Sequence, residues 1–138
     1  PKWYAMRNVY ALFDDDTKPT GVRTGIPAAI ERRADPRDAA KRVLTRASFV
    51  RFGKPLHLFW YANEMPSNRL EFDRVTLRVP GRIEEPVWMD MITGRIGAIE
   101  PGNVRHEGDE TVLADVPMWD SPVVIADRAT IPFQTTGK

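Results

Sequence analysis

Four side chains of this sequence have the chemistry of a binding surface. They are Trp88, Asp90, Trp119 and Tyr61. In an extended strand Trp88 and Asp90 share one face, opposite the neighbouring Val and Met side chains. Because a flat ring suits the C–H face of a sugar, an exposed Trp beside an Asp predicts a carbohydrate-binding surface. The alternative is that these Trp side chains pack in a core or against another domain.

A carboxylate at the end of an apolar run is a second candidate. Glu64 follows Asn63 directly after the run that ends at Ala62. Glycoside hydrolysis requires a second carboxylate at about 5 Å in retaining enzymes, or further away in inverting ones, on a rigid frame. The residues that follow, Met65–Asn68, are typical of a loop. We therefore interpret Glu64 as a solvated loop residue and identify no catalytic carboxylate pair in this chain.

Metal and nucleic-acid sites are weaker hypotheses. Asp14–Asp16 and His106–Glu110 offer oxygen ligands for calcium, but neither has the spacing of an EF-hand loop. His57 lies within an apolar run and is expected to be a hydrogen-bonded sheet residue rather than a zinc ligand. Residues 31–51 hold seven Arg and Lys against three acids, but no aromatic residue is interleaved with them before Phe49, unlike in a nucleic-acid surface. We predict no metal, no cofactor, and neither nucleic acid nor membrane as a partner.

The elements that position these residues are predicted to be mainly strands. The chain has 138 residues, enough for one domain, and its 12 prolines and 9 glycines indicate many short elements. No apolar run approaches the roughly 20 residues that span a bilayer. The absence of cysteine excludes a disulfide framework and leaves the compartment open.

The run Leu56–Ala62 is apolar on both of its alternating faces, which is typical of a central strand covered on both sides. Residues 72–79 alternate cleanly and predict a strand with one wet face. Thr93-Gly94 predicts a hairpin between residues 86–92 and 95–99. Residues 111–118 and 122–127 are interpreted as a last strand pair. Strands at this spacing predict an antiparallel β-sandwich of the jelly-roll type.

Two helices are predicted before these strands. Trp3, Met6, Tyr10 and Phe13 form one helical stripe, which predicts an N-terminal apolar helix that ends at Asp14–Asp16. A second, short helix is expected over residues 35–44, with Asp at its N-cap and Pro at its first position. A helix as apolar as the first must lie against a large partner.

Four stretches of the sequence, with the segment Tyr4–Asp14, resemble a known family. The stretches are Lys54–Tyr61, Pro80–Val87, Asp90–Ile96 and Asp115–Asp127. They resemble the β-sandwich that follows the catalytic (β/α)8 barrel in bacterial glycoside hydrolases of the family 39 and β-xylosidase type. Tyr4–Asp14 resembles the last helix of such a barrel.

The resemblance implies an accessory module whose partner is a catalytic barrel of the same protein or of a partner chain. Residues 1–16 would then be a helix of the barrel, 17–46 an irregular linker with a short helix, 47–133 the sandwich and 134–138 a frayed tail. The hydrolysis of glycosidic bonds would be carried out by two carboxylates of the barrel, so no catalytic residue carries over. The chain would be a piece of a longer protein.

The alternative is a free-standing carbohydrate-binding or protein-interaction sandwich, with Trp88 in the binding surface. The two hypotheses differ in what the N-terminal helix contacts. In the first its stripe docks on a barrel or a partner chain, and in the second it packs on its own sandwich. An independent enzyme is the weakest hypothesis, because no nucleophile and base, and no set of metal ligands, stands out.

Overall fold

The computed structural model describes residue 13 and residues 15–24, 29–32, 44–61, 73–118 and 122–131. Within these ranges lie two short 3-10 helices, Pro101–Asn103 and Arg128–Thr130, and ten strands. The strands are β1 (Thr17–Thr24), β2 (Ala29–Arg32), β3 (Leu44–Arg51), β4 (Lys54–Tyr61), β5 (Asp73–Pro80), β6 (Pro86–Asp90), β7 (Ile96–Ala98), β8 (Val104–Glu107), β9 (Glu110–Met118) and β10 (Val123–Asp127). No helix in this described part has the length and apolarity needed to cross a membrane.

The strands form two antiparallel sheets. The larger has six strands in the order β1-β3-β4-β10-β6-β7, and the smaller has four in the order β2-β5-β9-β8. In chain order the strands change sheet six times, between β1 and β2, β2 and β3, β4 and β5, β5 and β6, β7 and β8, and β9 and β10. A mainly β fold built from antiparallel sheets, as the sequence predicts, is therefore confirmed.

One hydrophobic cluster contains side chains from both sheets. Phe59 and Ile125 of the six-stranded sheet join Leu77 and Leu113 of the four-stranded sheet in it, and all four are buried. The cluster removes the apolar stripes of facing strands from water, which is the main favourable term in packing the sheets together. The two sheets therefore share one core.

A second cluster covers the opposite face of the six-stranded sheet. Leu56 of β4 and Val124 of β10 are fully buried in it, and Phe13 and Ile131 pack against them from outside the sheet. Since Phe59 of the same β4 lies in the inter-sheet cluster, β4 is buried on both faces. The prediction of a central strand is confirmed.

The predicted last strand pair is wrong. β9 belongs to the four-stranded sheet, whereas β10 lies between β4 and β6 in the six-stranded sheet. All five residues of β10 are buried. A strand that is apolar on both faces suits the interior of a sheet that is covered on both faces, as the six-stranded sheet is by the two clusters.

Residues 17–46, predicted as an irregular linker, contain strands in the structure. β1 and β2 lie within this range, and Leu44, the predicted end of the short helix, begins β3. Pro19 and Gly21, residue types that favour turns, flank a register shift in β1, which is an edge strand. Edge strands tolerate proline and irregular pairing, so these residues interrupt the pairing without ending the strand.

The two predicted helices lie outside the described residues, except for Phe13 and Leu44 at their ends. The same holds for the tail 134–138. Both helices therefore remain predictions from the sequence. Phe13, the one described residue of the apolar stripe, packs against Phe49 and the outer cluster of the six-stranded sheet, which is the contact expected from the free-standing alternative.

Candidate functional site

The hairpin that carries Trp88 and Asp90 is present as predicted, with β6 paired to β7. Asp90 is buried, with 6% of its surface exposed. Its carboxylate accepts hydrogen bonds from the backbone N–H of Ile92 at 3.0 Å and from the hydroxyl of Thr93 at 3.0 Å. Asp90 therefore holds its own turn together and is not displayed to solvent.

Trp88 lies on the face of β6 opposite Val87 and Met89, as the alternation predicts. That face is the inner one, where Trp88 is half-buried against the inter-sheet cluster. Its indole covers Gly97, its partner on β7, and a Cβ on that glycine would overlap the ring. Trp88 and Asp90 therefore do not form the exposed pair that the sequence predicts, because both faces of this sheet are covered.

The side chains of the other two predicted binding residues lie outside the described part of the structure. The backbone of Tyr61 ends β4 opposite Leu44. Trp119 and the pair Asn63-Glu64 lie wholly outside the described residues. The roles of Tyr61 and Trp119 therefore stay predictions.

A groove of about 380 Å³ opens between the edge strands β7 and β8. Its floor is mainly apolar, and Ile99 and Val104 of this floor also pack against the inter-sheet cluster. Its charged and polar lining residues are Glu84, Glu85, His106 and Arg128. The volume suits a small ligand, with an apolar floor and a few polar groups to orient it.

The polar side chains of the groove are held by short contacts. The guanidinium of Arg82 donates to the carboxylate of Glu84 at 2.6 Å, and this hydrogen bond lowers the pKa of Glu84. The ring Nε2 of His106 lies 2.9 Å from the carbonyl oxygen of Ile83, to which it donates. An ionised Glu84 is an acceptor for hydroxyl or cationic groups, and its lowered pKa does not suit a general acid. The groove therefore has the groups to bind a polar ligand, without an evident catalytic arrangement.

The wall of the groove is formed by residues 81–85, which cross from β5 to β6. Asp127, buried at the end of β10, accepts from the backbone N–H of Glu84 and of Ala129. The hydroxyl of Thr111 donates to the carbonyl of Gly81 and accepts from the N–H of Ile83. These hydrogen bonds satisfy backbone groups of the 81–85 connection that would otherwise lack partners.

No sequence pattern singles out Ser48, which lies on β3 opposite His57. Its hydroxyl is 2.9 Å from Nδ1 of His57, and Nε2 of the same ring is 3.0 Å from the carbonyl oxygen of Pro80. Since a carbonyl only accepts, Nε2 carries the proton and Nδ1 accepts from the hydroxyl. Only the cross-strand register brings the pair together, and strand pairing is not visible in one sequence.

His57 is a structural residue, as the sequence predicts. Burial, opposed by the hydrogen bond to Pro80 and reinforced by the charge of Arg46, lowers its pKa to about 4. The ring is therefore neutral near pH 7. Ser48 and His57 are both buried between the sheets, so the hydroxyl is not presented to a substrate. Through Pro80 at the end of β5, the ring ties the six-stranded sheet to the four-stranded sheet.

Within the described ranges, no three His, Asp or Glu side chains are close enough together to hold a metal ion. Comparison with known proteins gives no match: no family model, no curated protein and no solved structure resembles this chain significantly.

Proposed function

We propose that this chain is a non-catalytic β-sandwich module, of the jelly-roll type, that supports the catalytic barrel of a glycoside hydrolase outside the chain. The observation that carries the proposal is the location of the stretches that resemble such modules. They correspond to β4, to the 81–85 crossing, to the β6–β7 hairpin and to the segment from β9 through β10. They include β4 and β10, the two central strands of the six-stranded sheet, and part of β9, an inner strand of the four-stranded sheet.

The use of the buried polar groups also supports a structural role. Asp90 and Asp127 accept from backbone N–H groups of their own turns, and His57 joins the two sheets. A catalytic acid or base must instead reach a substrate and have a pKa suited to proton transfer. These three buried groups serve the stability of the module itself.

The proposal is tested by the reading frame that contains Pro1 and by the intact mass of the native protein. We expect several hundred residues of alternating strand and helix patterns before Pro1, and a mass that includes them. The longer protein should hydrolyse aryl glycosides, whereas residues 1–138 alone should not. A native protein of 138 residues, or hydrolysis by residues 1–138 alone, would contradict the proposal.

The groove between β7 and β8 favours a second candidate, a carbohydrate-binding module. Its apolar floor and its Glu and Arg side chains suit a sugar, although none of its lining residues is aromatic. Titration with xylobiose and cellobiose, followed by the NMR signals of His106, tests this candidate. Arg128→Gln should abolish any binding, and Arg105→Gln, an exposed residue of β8 outside the groove lining, is the matched control.

A further inference from the structure

Opposite charges without ion-pair partners line the groove between β7 and β8. Glu85 and Arg128 both contribute exposed side chains to it. Within the described part of the chain, neither of these side chains forms an ion pair with the other or with a third residue. Glu84, the other acid of the lining, is kept ionised because the hydrogen bond from Arg82 lowers its pKa. The groove therefore presents carboxylates and a guanidinium to the molecule that it binds.

The backbone that carries these charges is fixed by hydrogen bonds. The N–H of Arg128 donates to the carbonyl of Glu85 at 2.9 Å, and the N–H of Glu84 donates to the carboxylate of Asp127 at 3.3 Å. The connection from β5 to β6 and the end of β10 are therefore joined at two points. Only the outer parts of the charged side chains must become ordered when a ligand binds, which lowers the entropic cost of binding.

The rest of the lining decides which uncharged groups the ligand can carry. The floor is aliphatic, with Val87, Ile99 and Val104, and the lining formed by the described residues has no aromatic ring on which a sugar could stack. His106 donates from Nε2 to the carbonyl of Ile83, which leaves Nδ1 of the neutral ring as an acceptor. The groove thus suits an aliphatic body with a hydrogen-bond donor at one end.

A ligand with a single charge would leave part of the groove unmatched. An anion would pair with Arg128 but would also face the carboxylates of Glu84 and Glu85, and like charges at short range weaken binding. A cation would pair with the carboxylates and face the guanidinium in the same way. A ligand that carries an ammonium and a carboxylate matches both, and the planar guanidinium of arginine binds a carboxylate with two parallel hydrogen bonds.

We infer that the groove between β7 and β8 binds a small zwitterion with an aliphatic body, the chemical class of leucine and similar amino acids. The ligand carboxylate accepts from Arg128, its ammonium donates to Glu85, and its aliphatic side chain lies on Ile99 and Val104. A volume of about 380 Å³ is sufficient for a molecule of this size. This binding function goes beyond the proposed supporting role and does not depend on a barrel.

Ligands that differ by one group test the inference at pH 7. Leucine is compared with isoamylamine, which lacks the carboxylate, with 4-methylvalerate, which lacks the ammonium, and with glycine, which lacks the aliphatic body. Titration followed by the NMR methyl signals of Ile99 and Val104 should give leucine a Kd of about 1 mM or tighter. Each of the other three should bind at least about tenfold more weakly. Equal binding of leucine and either singly charged analogue, stronger binding of xylobiose than of leucine, or no binding of leucine would each overturn the inference.

Two variants assign the charged contacts. Arg128→Gln should make leucine and isoamylamine bind equally, and Glu85→Gln should make leucine and 4-methylvalerate bind equally. Both side chains are exposed, and the backbone hydrogen bonds of the groove do not depend on them, so both variants should fold. Arg105→Gln and Glu100→Gln change exposed residues outside the groove lining and should leave the four affinities unchanged. Retained selectivity for leucine in Arg128→Gln or Glu85→Gln, or its loss in either control, would contradict the inference.

Discussion

The two hairpins of the six-stranded sheet close their turns in different ways. The β6–β7 turn is closed by Asp90, whose carboxylate binds the backbone N–H of Ile92 and the hydroxyl of Thr93. The β3–β4 turn has a bulky residue, Phe52, at positive φ and leaves it exposed, at a cost of about 1–2 kcal/mol. The first turn is stabilised by hydrogen bonds of its own side chains, whereas the second holds an aromatic residue in the left-handed region, with its ring over the guanidinium of Arg51. Four changes test this difference, beginning with the largest expected effect.

Gly97→Val should disrupt the β6–β7 hairpin most strongly. A Cβ at residue 97 overlaps the indole of Trp88, and valine adds two further methyl groups. The ring must leave its place against the inter-sheet cluster, so the free energy of unfolding should fall by at least about 3 kcal/mol. Urea unfolding gives this value, and a red shift of tryptophan emission reports the displaced ring.

Gly102→Ala is the control for this change. An added Cβ at residue 102 meets no atom within 4 Å, so the free energy of unfolding should change little. If Gly97→Val is tolerated as well as Gly102→Ala, Trp88 does not pack over Gly97 as described.

The β3–β4 hairpin should instead depend on pH through His57. Its pKa is about 4 in the folded protein, against an ordinary value of 6.5. The unfolded chain therefore binds more protons between these values, so stability falls as pH decreases from 6.5 towards 4. The full loss is about 3 kcal/mol. Urea unfolding at several pH values between 7 and 4 measures this slope.

His57→Asn separates this effect from other titrating groups. All other ionisable groups are common to the two proteins, so the difference between their slopes belongs to His57. The variant should be less stable at pH 7, and its stability should depend less on pH above 4. Equal slopes in the two proteins would show that His57 is protonated as easily in the folded state as in the unfolded one.

The sequence predicts well which side chains of a strand share a face. It predicts poorly whether that face of the sheet is covered by other parts of the protein. Val75, Leu77 and Val79 are buried and Arg78 is exposed, as predicted for β5. The same rule places Trp88 opposite the Val and Met side chains, which is correct. The inference that this opposite face is wet is wrong, because β6 lies in a sheet with both faces covered. Cover depends on the other sheet and on distant segments, which alternation within one strand does not report.

The order of the strands in the sheets was the second feature that was not predicted from the sequence. The run Val123–Ala126 is as apolar on both faces as Leu56–Phe59, and this likeness could have placed β10 beside β4. The groove depends on such long-range placement, because it is lined by segments up to 44 residues apart, from Glu84 to Arg128. Ser48 and His57 lie in the same hairpin, and their contact depends on the register of β3 against β4. The turn chemistry around Thr93-Gly94 was predictable because it is local.

Asp90→Ala should destabilise the β6–β7 turn by about 2 kcal/mol. The change removes both hydrogen bonds and leaves the backbone N–H of Ile92 part-buried without its acceptor. Urea unfolding measures the loss. Asp90→Asn keeps one carbonyl oxygen and should lose about half as much. Equal free energies of unfolding for Asp90→Ala and Asp90→Asn would show that the oxygen acceptors at residue 90 do not stabilise this turn.

Thr93→Ala should have the smallest effect, about 0.5–1 kcal/mol, because the hydroxyl is exposed and water can replace it. This hydroxyl donates to Asp90 and accepts from the backbone N–H of Arg95, so it links the two sides of the turn. Thr93→Ser keeps the hydroxyl and should be nearly neutral in urea unfolding, whereas equal losses in Ser and Ala would assign the effect to the methyl group. Because Thr93 acts through Asp90, the loss in Thr93→Ala should largely disappear when Asp90 is already Ala. Such coupling is expected only in a turn that is stabilised by its own side chains, and the β3–β4 turn has no corresponding pair among its two loop residues, Phe52 and Gly53.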